Sequence, residues 1–305
     1  MSEPRFQLSF LSPRYWGYGA LAELILVASL LPRSVSGRIG DQLGDLFRQA
    51  NSKRRRIAAI NIRLCFPEYD EEMRERMLVE HFRAYGRGII DLGLIWRASE
   101  HRLERLFTVR GLDSWLDQAS ANSRTLLITP HTTAMDLGGI YLSRFYPLVS
   151  MMKRTHNPML TWLLCQGRRR FGAEIIMRDE GIRTLVRSLT QGRSGYLMPD
   201  EDLPLARTVF APFFGIETAT LSVVGRLSNL TGAKVFPTFT RRLDTGQYEV
   251  EIQPYLEDFP SGDDIKDACR INAVFESSLR AAPEQYLWTM QRFKNRPDGE
   301  PSPYT

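Results

Sequence analysis

Only three cysteines, Cys65, Cys165 and Cys269, and four histidines, at 81, 101, 131 and 156, occur in the 305 residues. They lie far apart, with no C-x-x-C pair and no Cys/His cluster. That excludes a disulfide framework and a structural zinc site, gives no ligand spacing for any other metal, and fits a reducing, cytosol-facing compartment. Lysine is scarce too, since 35 of the 40 basic residues are arginine. No apolar run reaches the ~20 residues that a spanning helix wants, and no internal repeat, low-complexity tract or interdomain linker is visible. With 43% apolar and 25% charged residues the composition is that of a globular chain, which excludes disorder, collagen and a polytopic membrane protein.

The charge that is present is placed unevenly. The formal net charge is +5, and residues 1 to 63 alone carry ten Arg/Lys against four Asp/Glu. Within that stretch stands Lys53-Arg54-Arg55-Arg56. Arginine forks match phosphate and carboxylate groups two oxygens at a time, which suits an anionic lipid headgroup or an acidic carrier protein; a GC-rich genome would give the same arginine bias. The basic residues follow an apolar segment and show no nucleic-acid recognition motif, so a membrane surface is the better partner than DNA or RNA.

That apolar segment is Trp16 to Leu31, broken only by Glu23. The basic run follows it instead of preceding it, and no small-residue cleavage site is present, which argues against a signal peptide. Tyr15, Trp16 and Tyr18 suit a headgroup region, and the downstream positive charge predicts a cytoplasmic body. The expectation is a membrane-anchoring helix, tilted or monotopic, within residues 1–34, and one catalytic domain over 35–305; a buried amphipathic helix is the alternative.

Residues 40 to 65 read as one helix, and Asp70 to Trp96 as a second, broken at Gly86 and Gly88. Beyond 106 the texture alternates. Strands are expected at 107–109, 125–129, 148–151, 173–177, 195–198, 235–239 and 248–253, and helices at 136–145, 158–171, 181–191 and 218–231. Such alternation predicts an α/β fold with a mixed, mostly parallel sheet flanked by helices.

The segment Thr125 to Gly139, TLLITPHTTAMDLGG, carries the chemistry. A buried strand ends before Pro130, His131 stands at its mouth, and Thr132 or Thr133 can cap a helix bearing Asp136. Open α/β sheets bind ligands at this strand-to-helix position. A carboxylate five residues on can reach the imidazole Nδ1–H, orient the ring, and leave Nε2 to take a proton from a substrate hydroxyl. His-x-x-x-x-Asp alone is a weak pattern, and a hydrogen-bonded structural histidine is the plain alternative.

The stretch PHTTAMDLGG resembles the catalytic motif of the bacterial lipid A late acyltransferases, the lauroyl and myristoyl transferases. FLSPRYWGYG near the start, NIRLCFPE at 61–68, NPMLTWLLCQGRRR at 157–170, MPDEDL at 198–203, VFAPFFG at 209–215 and APEQYLWTMQRFKNRPDGEPSPY at 282–304 resemble further blocks of that family, in the same order. Asp136 stands where the family commonly has Glu.

The resemblance implies a glycerolipid-acyltransferase-like fold and acyl transfer at the inner face of the bacterial inner membrane. The donor would be acyl-acyl carrier protein and the acceptor a hydroxyl of a 3-hydroxyacyl chain on the lipid A precursor. No cofactor or metal would be needed beyond the carrier-bound co-substrate. His131 would be the general base and Asp136 its orienting carboxylate. Arg168 would bind phosphate or support an oxyanion, and Asp200 would shape the site or order a basic side chain. Arg169 and Arg170 would face the acidic carrier protein, with a solvated helix face as the alternative, and Phe210, Phe213 and Phe214 would wall an acyl chain unless they are plain core. A related acyltransferase with another glycolipid or phospholipid acceptor, a Cys165-dependent acyl enzyme, and a non-catalytic membrane-associated paralogue are the competing readings.

Overall fold

A computed structural model describes residues 4–121, 123–204, 208–297 and 299–305. Five helices come first: α1 (Pro13–Leu30), α2 (Arg33–Ala50), α3 (Ser52–Cys65), α4 (Glu71–Arg97) and α5 (Glu100–Leu106). Strands and helices then alternate through β1 (Phe107–Arg110), α6 (Leu112–Ser120), β2 (Thr125–Ile128), α7 (Met135–Leu142), β3 (Leu148–Met152), α8 (Pro158–Arg168), β4 (Glu174–Met177), α9 (Ile182–Thr190) and β5 (Ser194–Leu197). The hairpin β6 (Thr208–Phe213) and β7 (Ile216–Leu221) follows, then α10 (Val223–Thr231), β8 (Lys234–Arg242), β9 (Tyr248–Ile252) and α11 (Asp264–Leu279).

Seven strands form one sheet in the order β1-β9-β8-β2-β5-β3-β4, and every neighbouring pair is parallel except β8 with β9. The central strands β2 and β5 are buried at every position, as expected when helices cover both faces. Side chains alternate across the sheet. Leu126 and Ile128 therefore enter one core with Val149, Ile176, Val235 and helices α3, α4, α9, α10 and α11, while Leu127 enters the other with Leu148, Phe236, Tyr248 and helices α6 and α7.

Three expectations need correction. The helix expected over 40–65 is two helices, divided at Asn51, whose side chain caps the second by accepting from the Arg54 N–H. Conversely, α4 runs unbroken through Gly86 and Gly88. Those glycines mark close approach, not a break: a Cβ on Gly86 would overlap the Gly40 carbonyl oxygen of α2, and one on Gly88 would stand 2.8 Å from the Thr133 carbonyl oxygen. Residues 216–221 are a strand, not the start of a helix, because they pair with β6 around a turn at Gly215, where φ is +73°.

At the amino-terminal end, α1 packs Ile25, Ala28 and Ser29 against α4, with Ser29 fitted against Gly93. Its other half is apolar and uncovered: Trp16, Leu21, Leu24, Val27 and Leu30 are all exposed, Leu24 at 67%. Among the described residues no helix is long and apolar enough to cross a membrane, so the spanning form of the expected anchor has no support.

Candidate active site

Strands β2 and β5 are parallel neighbours, so the loops leaving their carboxyl ends lie side by side. The loop after β2 carries His131 and the loop after β5 carries Asp200. The two residues meet in two bonds: the His131 Nδ1–H donates to Asp200 Oδ1 at 2.6 Å, and the His131 backbone N–H donates to Asp200 Oδ2 at 2.8 Å. One carboxylate thus fixes both the ring and the peptide beneath it. With Nδ1–H committed to a carboxylate, Nε2 is the basic nitrogen, on a side chain that keeps 11% of its surface exposed.

Burial opposes charge on both partners, and each overcomes it for the other. Burial alone would lower the His131 pKa, but the Asp200 charge and hydrogen bond hold it above its ordinary value. Burial would raise Asp200, but the imidazole and the backbone N–H hold it below the usual carboxylate range. The pair is therefore an ionised Asp200 beside an imidazole of increased basicity.

Asp136 is not the carboxylate on this ring. It lies in the first turn of α7 and receives both arms of Arg168, Nε to Oδ1 at 2.9 Å and Nη2 to Oδ2 at 2.8 Å. Helix α7 starts only at Met135, which turns the Asp136 side chain toward the carboxyl end of α8, where a bidentate fork takes up both oxygens. Arg168 Nη1 reaches the Met152 Sδ at 3.3 Å.

Other expectations also change. Arg170 turns inward to the carbonyls of Leu94, Ile95 and Ala98 at the end of α4, where a cation complements the helix dipole, and stacks on Phe171. Arg169 donates to the Ile175 carbonyl at 3.0 Å. Neither is a bare surface charge. Phe213 and Phe214 are core residues packed with Phe66, Tyr286, Trp288 and Phe293, so the expected acyl wall is not there, and Phe210 lies on the same hairpin. Cys165 is fully buried against Met152.

An apolar groove of about 540 Å³ lies instead between α9 and α10, lined by Met151, Leu185, Val186, Met198, Val223 and Leu227 among others. Met198 and Pro199, which belong to its wall, lead directly into Asp200. A second concavity, of about 740 Å³, is basic: Arg48, Lys53, Arg55 and Arg56 line it where α2 meets α3. Among the described residues no group of acidic, histidine or cysteine side chains could hold a metal ion. His81, the other buried histidine, donates from Nδ1 to the Glu284 carbonyl at 3.1 Å, and burial pushes its pKa down to about 4. It is a neutral structural support.

A family model described as bacterial lipid A biosynthesis acyltransferase matches residues 3–295. Among curated proteins, the chain is 33% identical to the lipid A biosynthesis palmitoleoyltransferase of Escherichia coli, over 98% of both chains. It is 31% identical to the lauroyltransferase of the same organism, over 99% of both chains, and 30% identical to the myristoyltransferase, over 99% of this chain and 94% of that one. Relatives named for three different acyl groups lie within three percentage points of identity, so identity alone does not choose a donor. The chain belongs to the bacterial lipid A biosynthesis acyltransferase family and is an acyltransferase of lipid A biosynthesis.

Proposed function

We propose that this enzyme moves an acyl group from acyl-acyl carrier protein to a hydroxyl of a 3-hydroxyacyl chain on the lipid A precursor, with His131 as general base and Asp200 as its orienting carboxylate. The observation that carries this reading is the double hydrogen bond of Asp200 to the ring and backbone of His131 at the carboxyl ends of adjacent buried strands. His131 Nε2 takes the hydroxyl proton as the oxygen attacks the thioester carbonyl. The carbon–sulfur bond then breaks, and the leaving thiolate recovers that proton from the imidazolium. A thioester is already activated, so no acyl-enzyme is required and both substrates bind together. Arg168, held flat by Asp136, is the cation available for a phosphate or for the oxyanion.

The groove between α9 and α10 supports a linear acyl chain as occupant: it is apolar, large enough for a ligand of that class, and begins at the residues next to Asp200. The exposed half of α1 supports a monotopic seat on the cytoplasmic face of the inner membrane. The basic concavity is bounded on α4 by Glu75 and Leu78, whereas α1 packs at Gly93. That is about 22 Å along the helix from Leu78, so the Lys53–Arg56 run is set apart from the apolar seat and suits an acidic soluble carrier.

Five outcomes follow. Purified enzyme given a panel of acyl-carrier-protein donors and the tetra-acylated lipid A precursor should yield a product heavier by one acyl chain. His131→Ala should cut turnover by about 10²- to 10⁴-fold with folding retained, and Lys53→Glu with Arg55→Glu should raise KM for the carrier-linked donor. No product with any donor, or full activity in His131→Ala, would refute the reading. Narrowing the groove with Val186→Trp should move the preferred donor to shorter chains in the same mass assay; an unchanged donor profile would place the acyl chain elsewhere. Leu21→Asp with Leu24→Asp should weaken sedimentation with anionic vesicles by more than about tenfold, since each buried leucine contributes roughly 1.5–3 kcal/mol, and undiminished binding would remove α1 as the seat.

A further inference from the structure

The exposed apolar residues of α1 lead into a cationic cavity. Leu21, Leu24, Val27 and Leu30 follow one another at three-residue intervals along the uncovered part of the helix. Leu30 is also a wall of a cavity of about 430 Å³ at the carboxyl end of α1. The other walls include three arginines, Arg33 at the start of α2 and Arg102 and Arg105 on α5.

The three arginines are not equivalent. Arg33 is taken up by Asp91, Nη1 to Oδ1 at 2.6 Å and Nη2 to Oδ2 at 2.8 Å, and the same carboxylate receives Arg242 Nε and the Tyr248 hydroxyl. Arg102 bonds carbonyl oxygens, those of Ser29 at 2.6 Å and Leu31 at 3.5 Å, both through Nη2. These bonds cap the negative end of α1 and leave Nε and Nη1 for another partner. Arg105 is exposed, and among the described residues no hydrogen bond or ion pair engages its side chain.

Nearby acidic side chains do not neutralise this pair. Glu100 and Glu104 of α5 bind Arg144, and Glu249 binds Arg110 and Arg241. Asp244, in the turn between β8 and β9, bonds neither Arg102 nor Arg105 among the described residues. Burial first, and then the Arg33 charge, hold the Arg102 pKa below its ordinary value, which Asp91 offsets only in part. The cavity thus gathers cations that lack a counter-ion, beside apolar residues that lack a cover. A guanidinium takes two phosphate oxygens at once, and hydrocarbon chains would cover the leucines. An acidic peptide or a free phosphate would satisfy the arginines and leave the leucines in water.

We propose that this cavity is a phospholipid site: the phosphate of an anionic membrane lipid sits between Arg102 and Arg105 while its acyl chains lie along Leu24, Val27 and Leu30 of α1. This rests on the reading of α1 as the seat on the membrane and adds a headgroup contact at its carboxyl end.

The test is native mass spectrometry of the full chain released from detergent with added phosphatidylglycerol. The parent should retain one lipid, Arg105→Gln should lower retention about fivefold, and Arg102→Gln with Arg105→Gln should lower it more than tenfold. Arg105→Lys should keep most of it. Arg76→Gln, which removes one exposed charge near the amino end of α4, should match the parent, and glycerol 3-phosphate, which has no acyl chains, should give no comparable adduct. In vesicle sedimentation the double variant should lose affinity for phosphatidylglycerol and keep it for uncharged phosphatidylcholine, whereas Leu21→Asp with Leu24→Asp should weaken both. Undiminished retention in Arg105→Gln, an equal loss in Arg76→Gln, or an equally strong glycerol 3-phosphate adduct would overturn the proposal. Arg102 caps α1, so should the double variant fail to fold, Arg105→Gln decides. Because retention from detergent needs no bilayer, failure of α1 as the membrane seat is distinguishable from failure of the phosphate site.

Discussion

The structure of the site depends on one carboxylate. Asp200 bonds the imidazole of His131 through one oxygen and the peptide N–H of the same residue through the other, so the ring cannot turn without the loop moving as well. In a buried setting such a bond is strong when made and costly when lost. The surrounding architecture serves it. Parallel pairing of β2 with β5 places the two loops side by side, and the segment 285–287 closes the far side of the His131 loop.

Helix α4 is the second constraint. It touches α1 at Gly93, α2 at Gly86 and the loop after His131 at Gly88, and His81 on the same helix bonds the carbonyl of Glu284 at the start of the bracing segment. One unbroken helix therefore links the exposed apolar face of α1, the active-site loop and the basic concavity along its length. In the proposed reaction a lipid acceptor comes from the first of these and an acidic carrier from the last, with His131 between them.

Much of the sheet could be read from the chain, because buried parallel strands such as Thr125–Ile128 are short apolar runs bounded by turn residues and separated by helices. His131 was legible for the same reason, at the end of such a run before a proline. Its partner was not. Local spacing favours Asp136, five residues away, whereas the pairing observed spans 69 positions and depends on which strand lies beside β2, which periodicity does not encode. The glycines of α4 read as breaks because their role, letting two backbones touch, is tertiary. The β6–β7 hairpin was hidden because its second strand runs almost directly into α10, and the aromatic cluster VFAPFFG fits a ligand wall as well as it fits the core it joins.

The central claim is that Asp200, not Asp136, controls the base, and the direct measurement is the His131 ring titration in Asp200→Asn and in Asp136→Asn, read beside kcat. Asp200 holds the His131 pKa above its ordinary value, so Asp200→Asn should move the titration to lower pH and cut kcat by about 10²- to 10⁴-fold. Asp136→Asn should leave the ring titration in place, whatever it costs through Arg168. A ring titration that moves with Asp136→Asn and stays put with Asp200→Asn would contradict the account.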